Sequence, residues 1–581
     1  MSRKRHVRVV VCFLGAAVAA ATGARAAHAC GGFFCNQPQP NGQLPIAQAA
    51  ENVLFVMDTD PQGVHRVEAH IQIAYTGPAT SFSWIVPVTA LPTVDVGWDI
   101  LFDRIEPPTR PSFQLNRVQD GKCKGGGGQG IGCGGGAASA TNGGVQDAGG
   151  QPGNGVDVLS RGSAGPYDYV IVRSEDGATL RTWLTSNGYF VSDDGGRIVD
   201  DYVAGGFSFV AVKLMVGQDT SAIRPIILRM QSSEACLPLK LTAIASTPDL
   251  RINVWVLGAA RAVPINYVEI AINLAKLDWF NFGKNYDQLL KEAANEAQGD
   301  AFAVEYAQPS SAAVGWMTLP SGGRSTLASQ TNPGSYMNVL LGLGLTPTSA
   351  VVAVLRKYIP MPASLQSQGV PEATFYGNLY NYWSSNAADF APFDPVALTA
   401  ELEKEVLQPM DMFRMLFGNS PYLTRLATFI SPEEMTKDPL FVTNTHLPPV
   451  SPQHTATAHY LCGDEEFFAC DAPVKVDVED GRHVLYVGGT CSGSAPRGDI
   501  DKMPSANTAW IRDPDTEGQV VLDNGPAITK ALAAHNATVA TPGSGCGCAL
   551  RARPREWAMI AFVGAVVLVL GVRRRRPRAR S

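Results

Sequence analysis

Residues 67–88 read VEAHIQIAYTGPATSFSWIVPV. Val67, Ala69, Ile71, Ile73 and Tyr75 alternate with Glu68, His70 and Gln72, the period of a half-buried strand. Thr76-Gly77-Pro78 is a turn signal. Phe82, Trp84 and Val86 then share one face of a second strand. The two strands are expected to form an antiparallel hairpin, which makes this region a β unit. The strand-like character runs back to Glu51.

Working outward, residues 121–155 break the pattern. Sixteen of these 35 residues are glycine, punctuated by Cys123 and Cys133, and such a stretch buries too little to offset chain entropy. It is read as a flexible insertion. Order resumes at YDYVIV, expected as a strand. Gly177–Ser186 follows as a short helix, with Leu180, Trp183 and Leu184 on one stripe and Asn187-Gly188 as its stop. Strands are expected over 207–214, 225–230, 237–245 and 251–257. Together they describe a mixed α+β unit with one sheet and a few helices.

Beyond residue 285 helical signals dominate, clearest at 286–298, 348–358 and 394–407. In the last, Asp394 is the N-cap, Pro395 stands at N1, and Leu398, Leu402 and Val406 form the buried stripe. Ser431-Pro432-Glu433-Glu434 is a capping box. From 441 to about 523 the chain is β- and turn-rich with little apparent core. The expected fold class is therefore α+β: a mixed/antiparallel sheet domain, a helical segment, a β/turn-rich disulfide region and a C-terminal transmembrane helix. The divisions are 30–120, 121–155, 156–310, 311–440, 441–530 and a linker at 531–556.

The two ends carry addresses. Arg3, Lys4, Arg5 and Arg8 precede an apolar run, Val9–Ala21, and Ala27-His28-Ala29 supplies small residues before Cys30, so 1–29 reads as a signal peptide. Residues 557–572 are sixteen uncharged residues, about 24 Å as a helix, which is short for a bilayer core. Trp557 suits one interface, and Arg573, Arg574, Arg575 and Arg576 in the basic tail 573–581 suit the other. These features predict an exported bulk, tethered to a membrane by its C-terminus.

The chain's formal charge is −6. Without the five basic residues of 1–29 and the net +8 of 551–581, the remainder carries −19. Such an acidic region would repel phosphates, so no nucleic-acid partner is expected. The expected partners are the membrane and a protein or other envelope component.

Eight cysteines remain between signal and tail: Cys30, Cys35, Cys123, Cys133, Cys236, Cys462, Cys470 and Cys491. In an oxidising compartment they read first as disulfides. Short spacings favour 30–35, 123–133 and 462–470, which leaves Cys236 with Cys491. Two enzymatic alternatives compete. Gly489-Thr490-Cys491-Ser492-Gly493 mimics a nucleophile elbow, but SGSAPRGD after it cannot promptly open the helix an elbow needs. His446, His454 and His459, near Cys462, Asp464, Glu465, Glu466 and Cys470, are metal-ligand types whose spacing fits no zinc pattern. No Walker loop, Rossmann glycine pattern or HExxH occurs, and no cofactor is expected. The leading reading is a structural or interaction protein of the cell envelope. The alternative is an exported hydrolase using Cys491 or a metal held by those histidines.

Several long blocks resemble the bacterial domain-of-unknown-function family numbered 2330. They are CGGFFC (30–35), PIAQAAENVLF (45–55), IQIAYTGPATSFSWIVPV (71–88), LRTWLTSNGY (180–189), RPIILRMQSSEACLPLKLTAIAS (224–246), DLRINVWVLGAARA (249–262) and AFAVEYA (301–307). The resemblance covers roughly 30–310, with PYLTRLATFISPEEMTKDP (421–439) as a further block. It implies an exported, often membrane-tethered bacterial protein, with no catalytic residues to carry over. Separately, Cys546 or Cys548, the span 557–572 and the arginine tail resemble the myxobacterial C-terminal sorting signals (MYXO-CTERM). That likeness implies retention at, or transfer to, the cell surface.

Overall fold

The computed structural model describes residues 33–34, 47–76, 83–120, 155–189, 191, 193–215, 223–244, 246–320, 322–461, 474–486 and 498–540. The expected signal, the glycine-rich insertion, the apolar span and its tail lie outside them, apart from Gly155. Among the described residues no helix is long and apolar enough to cross a membrane.

The fold is α+β; its ten-stranded and four-stranded sheets are mixed, its five-stranded and three-stranded ones antiparallel. A ten-stranded sheet runs in the order Gln519–Asp523, Ala506–Ile511, Val268–Ile272, Ala301–Pro309, Tyr422–Ile430, Ser246–Gly258, Ala47–Thr59, His65–Thr76, Ile226–Gln231, Thr93–Val96. Ser246–Gly258 is parallel to Ala47–Thr59 and antiparallel to Tyr422–Ile430. A five-stranded sheet holds Ser83–Val88, Ser208–Leu214, Tyr167–Arg173 and Asp157–Ala164 in that order, after Phe33–Phe34. Two smaller sheets complete the β structure of the described residues.

Periodicity in 67–88 identifies both strands and misassigns their partners. His65–Thr76 pairs with Ala47–Thr59 and Ile226–Gln231, whereas Ser83–Val88 pairs with Ser208–Leu214 in the other sheet. They are not a hairpin. The two sheets pack face to face instead, with Val67, Ala69 and Ile71 meeting Trp84, Val86 and Val88 in one core. The single sheet expected for this region is thus two layers. Ser83–Val88 is buried at all six positions, the mark of a strand covered on both faces.

Four other expectations are corrected. The strand expected over 237–245 is absent from its described residues, 237–244: Leu239–Thr242 is a short helix, preceded by a two-residue strand Ala235–Cys236. The 394–407 helix is α only over Pro395–Leu402, passes through a π turn at Glu403–Leu407, and resumes as Gln408–Asn419. The linker expected from 531 is preceded and overlapped by a helix, Gly525–Ala540. Its Ile528, Leu532 and His535 are buried at i, i+4 and i+7. Lastly, the 441–523 region has a substantial core. Ala456, Ala458, Tyr460, Val474, Val476, Val484 and Tyr486 pack with Trp279, Phe280, Leu289 and Leu290.

Local chemistry holds where it was legible. Asp394 accepts hydrogen bonds from the Val396 and Ala397 amides at 3.1 and 3.0 Å. The Ser431–Glu434 box is closed, with the Ser431 amide donating to Glu434 Oε2 at 2.8 Å. Gly188 ends its helix at φ +75°, a left-handed position that glycine fills at little cost.

The helical segment covers one face of the large sheet. Leu54, Trp255, Leu257 and Tyr306 from the strands meet Ile100–Thr109 and the helices of 333–417 in a single core. This layer carries the surface discussed below.

Candidate functional site

The sheet face beneath the Ile100–Thr109 helix carries a buried polar seam. Side chains two residues apart share a face, so Arg425, Asn253, Asn52 and Gln72 line up across four neighbouring strands. Arg425 donates to Asn253 Oδ1 (3.1 Å), Asn253 to Asn52 Oδ1 (2.8 Å), Asn52 to Gln72 Oε1 (2.9 Å), and Gln72 to Asp99 Oδ1 (2.5 Å). The Arg425 guanidinium faces Glu305 Oε2 at 2.8 Å and lies 4.9 Å from the centre of the Trp255 ring. Glu305 shares its face because Ala303 pairs with Ala427 and residues two apart point the same way. The pairing then skips a residue, and this bulge sets Tyr306 against Arg425 as well. Arg251 extends the seam to Asp287.

Burial lowers the Arg425 pKa, and Glu305 opposes that shift. Burial raises Asp99 to about 6 against the hydrogen bond from Gln72. Arg425 and Glu305 are sealed from solvent, so that end of the seam orients strands and helix and is closed to a substrate.

A second buried acid lies where the five-stranded layer meets the rest of the molecule. Asp438 accepts from the Lys240 amide and from Tyr202 Oη, both at 2.8 Å. It is 3% exposed. Burial outweighs both hydrogen bonds and pushes its pKa to about 7.

The three candidate metal ligands are not brought together. His454 and His459 stand on one strand, Gln453–Leu461. Five residues separate them, which places them on opposite faces and about 17 Å apart along the strand. His454 Nδ1 meets Glu479 Oε1 at 2.6 Å, and its ring stacks on Phe113. His459 bridges Asp120 (2.9 Å) and Asp477 (3.3 Å). The His446 amide donates to Asn444 Oδ1. Among the described residues no group of three His, Cys, Asp or Glu is placed to hold a metal.

Of the eight cysteines proposed as structural, Cys236 is described. It sits in the two-residue strand paired with Leu440 and lines an apolar pocket with Phe55, Val88 and Leu228. Cys30, Cys35, Cys123, Cys133, Cys462, Cys470 and Cys491 lie outside the described residues, as do Cys546, Cys548, Trp557 and Arg573–Arg576.

Two surface features remain. One is an open groove of about 760 Å³ lined by Val56, Leu91, Met230 and Leu416 with Arg66, Glu68 and Arg229. Its charges satisfy one another. Arg229 pairs with Glu68 and Asp95, and Arg66 with Asp60. Burial would raise Glu68, but hydrogen bonds from His70 and Arg229 hold it down at about 2.

The other is an aromatic face on two helices, Pro333–Gly342 and Leu379–Asn386. Tyr380 and Trp383 stand one turn apart. A Cβ on Gly334 would come within 3.0 Å of both rings, so the glycine lets the two helices close and fixes one edge of each ring. Tyr380 is 48% exposed and Leu341 45%. Trp383 is half-buried, and Asn338, Asn381, Ser384 and Ser385 are exposed. Among the described residues, no hydrogen bond engages Tyr380 Oη, Trp383 Nε1 or the amide side chains of Asn338 and Asn381. This face was missed in the sequence. Its signal is NLYNYWSSN (378–386), where aromatic residues recur with amides and hydroxyls and no charge.

Residues 25–336 match the model of a family described as "Uncharacterized protein conserved in bacteria (DUF2330)". No curated protein and no solved structure matches the chain.

Proposed function

The chain belongs to the DUF2330 family of uncharacterized proteins conserved in bacteria, and on that footing we propose that it is an exported, membrane-tethered or surface-sorted envelope protein that works by binding. The observation that carries the binding reading is the Tyr380/Trp383 face. Tyrosine and tryptophan offer large, stiff contact area with a polar tip, while asparagine and serine add adaptable hydrogen bonds. That is the composition of recognition surfaces.

The export and tethering part rests on the basic-apolar N-terminus, the uncharged 557–572 run and the arginines after it. Binding rather than hydrolysis is favoured because His454 and His459 are directed to separate acids on opposite faces of one strand. The test is capture. Full-length protein immobilised from envelope extracts should retain a partner in stoichiometric amount, and the Tyr380→Ala/Trp383→Ala variant should lose it. Equal retention by both would refute the assignment of this face.

A further inference from the structure

We propose that the Tyr380/Trp383 face binds a neutral glycan, a proposal that rests on the reading of this face as a recognition surface and names its ligand. Three observations support it.

The first is charge. Residues 373–388 form an uncharged run of sixteen, inside a region that otherwise carries a large negative excess. Five of the sixteen are aromatic (Phe375, Tyr376, Tyr380, Tyr382, Trp383) and three are asparagine, against 8% aromatic residues in the whole chain. An anionic polymer would be repelled by the region's net negative charge. A cationic one would find no carboxylate here.

The second is chemistry. An aromatic face is electron-rich, and the axial C–H groups of a pyranose ring present partial positive charge to it. These contacts are weak singly and directional together. Beside the rings, one turn after Gly334, Asn338 offers an exposed amide with two donors and one acceptor oxygen, and Ser384, one turn after Tyr380, an exposed hydroxyl. Sugar hydroxyls match that set. Rings held by one edge against Gly334 lose little entropy on stacking, which is how preorganisation raises affinity.

The third is size. The Leu379–Asn386 helix has eight residues and its neighbour ten, so they span about 12 and 15 Å. With axes about 8–10 Å apart and about 5 Å of helix beyond each axis, the face covers roughly 250 Å². A stable protein interface needs about 800 Å² per side. The face is too small for that and adequate for two or three sugar rings.

The experiment is isothermal titration of the full chain, held in a detergent without a sugar headgroup, with chitohexaose and cellohexaose. Polygalacturonate serves as the acidic control. Saturable binding of at least one neutral hexasaccharide is expected, at least ten-fold weaker in Trp383→Ala and in Tyr380→Ala and absent with polygalacturonate. Tyr380→Phe keeps the ring and should retain most of the affinity. Asn338→Asp, at an exposed position, should weaken binding without changing the melting temperature, which covers the case in which Trp383→Ala fails to fold. Failure of both neutral glycans to bind, or equal affinity across the variants, overturns the proposal. If glycans fail while Tyr380→Ala/Trp383→Ala still abolishes capture of an envelope protein, the ligand is a protein and the binding reading stands. If capture is also unaffected, both fall.

Discussion

Asp438→Asn should make the protein more stable above neutral pH, and the size of the effect follows from the site. The carboxyl is almost fully buried and its pKa stands at about 7, against 3.8 for the free side chain. A raised folded-state pKa means that the folded form binds the extra proton. The associated stability is therefore fully present below about pH 4 and is lost as pH rises through 7. Three pKa units correspond to about 4 kcal/mol. Asparagine has the same shape. Its Oδ1 still accepts from the Lys240 amide, and its NH₂ donates to Tyr202 Oη, whose hydroxyl turns to accept. Wild type and variant should thus be matched near pH 4 and diverge progressively, with the variant ahead by up to about 4 kcal/mol at pH 8.5. Urea unfolding followed by tryptophan fluorescence at half-unit pH steps measures the difference directly. Asp99, raised to about 6, adds a slope common to both proteins and cancels in it. Parallel curves from pH 4 to 8.5 would refute the reasoning, because Asp438 would then not titrate in the range its burial requires.

Arg425→Met should destabilise by about 3–5 kcal/mol, since it leaves the Glu305 carboxylate buried without its counter-charge; the Arg425→Met/Glu305→Gln double variant should recover part of that loss in thermal melts. Gly334→Ala should move Tyr380 and Trp383, because a Cβ there meets both rings at 3.0 Å, and ligand capture should fall while the fold survives by circular dichroism. Gly518→Ala forces a side chain onto φ +82° with its Cβ 2.3 Å from the Ile511 carbonyl, and a loss above about 1 kcal/mol is expected. A chain truncated at Pro542 should leave the membrane fraction and appear as an exported soluble protein; if it still pellets with membranes, the anchor lies elsewhere in the chain.

The sequence reveals faces more readily than partners. Alternation at Val67–Ile71 places the apolar side of that strand in the core correctly, yet it is silent on which strand lies alongside. The choice between a hairpin and two facing sheets is made by residues far away, Ile226–Gln231 and Ser208–Leu214. The Leu239–Thr242 helix was hidden because LPLKL alternates like a strand, and its turn is stabilised by Asp438, almost two hundred residues later. The second half of the Gly525–Ala540 helix, from 531, reads as linker because alanine and threonine dominate it, although Ile528, Leu532 and His535 mark a stripe. Arg425 and Glu305 each look like ordinary surface charges until the pairing of two central strands brings them together. Caps fared best, since Asp394 and Ser431 act on amides within three residues. The aromatic face was legible in composition, but only the structure shows Tyr380 and Trp383 fixed by Gly334 with their polar tips unengaged.

Photocrosslinking in intact cells is the most direct test of the claim that this protein acts by binding through that face. A benzophenone amino acid placed at position 380 inserts into C–H bonds of protein or sugar alike, and the same probe at exposed Asp515 reports random collision. The account predicts a discrete adduct of higher mass from position 380 that is absent from position 515 and lost when Trp383→Ala is added. No adduct at 380, or the same adducts from both positions, would contradict it.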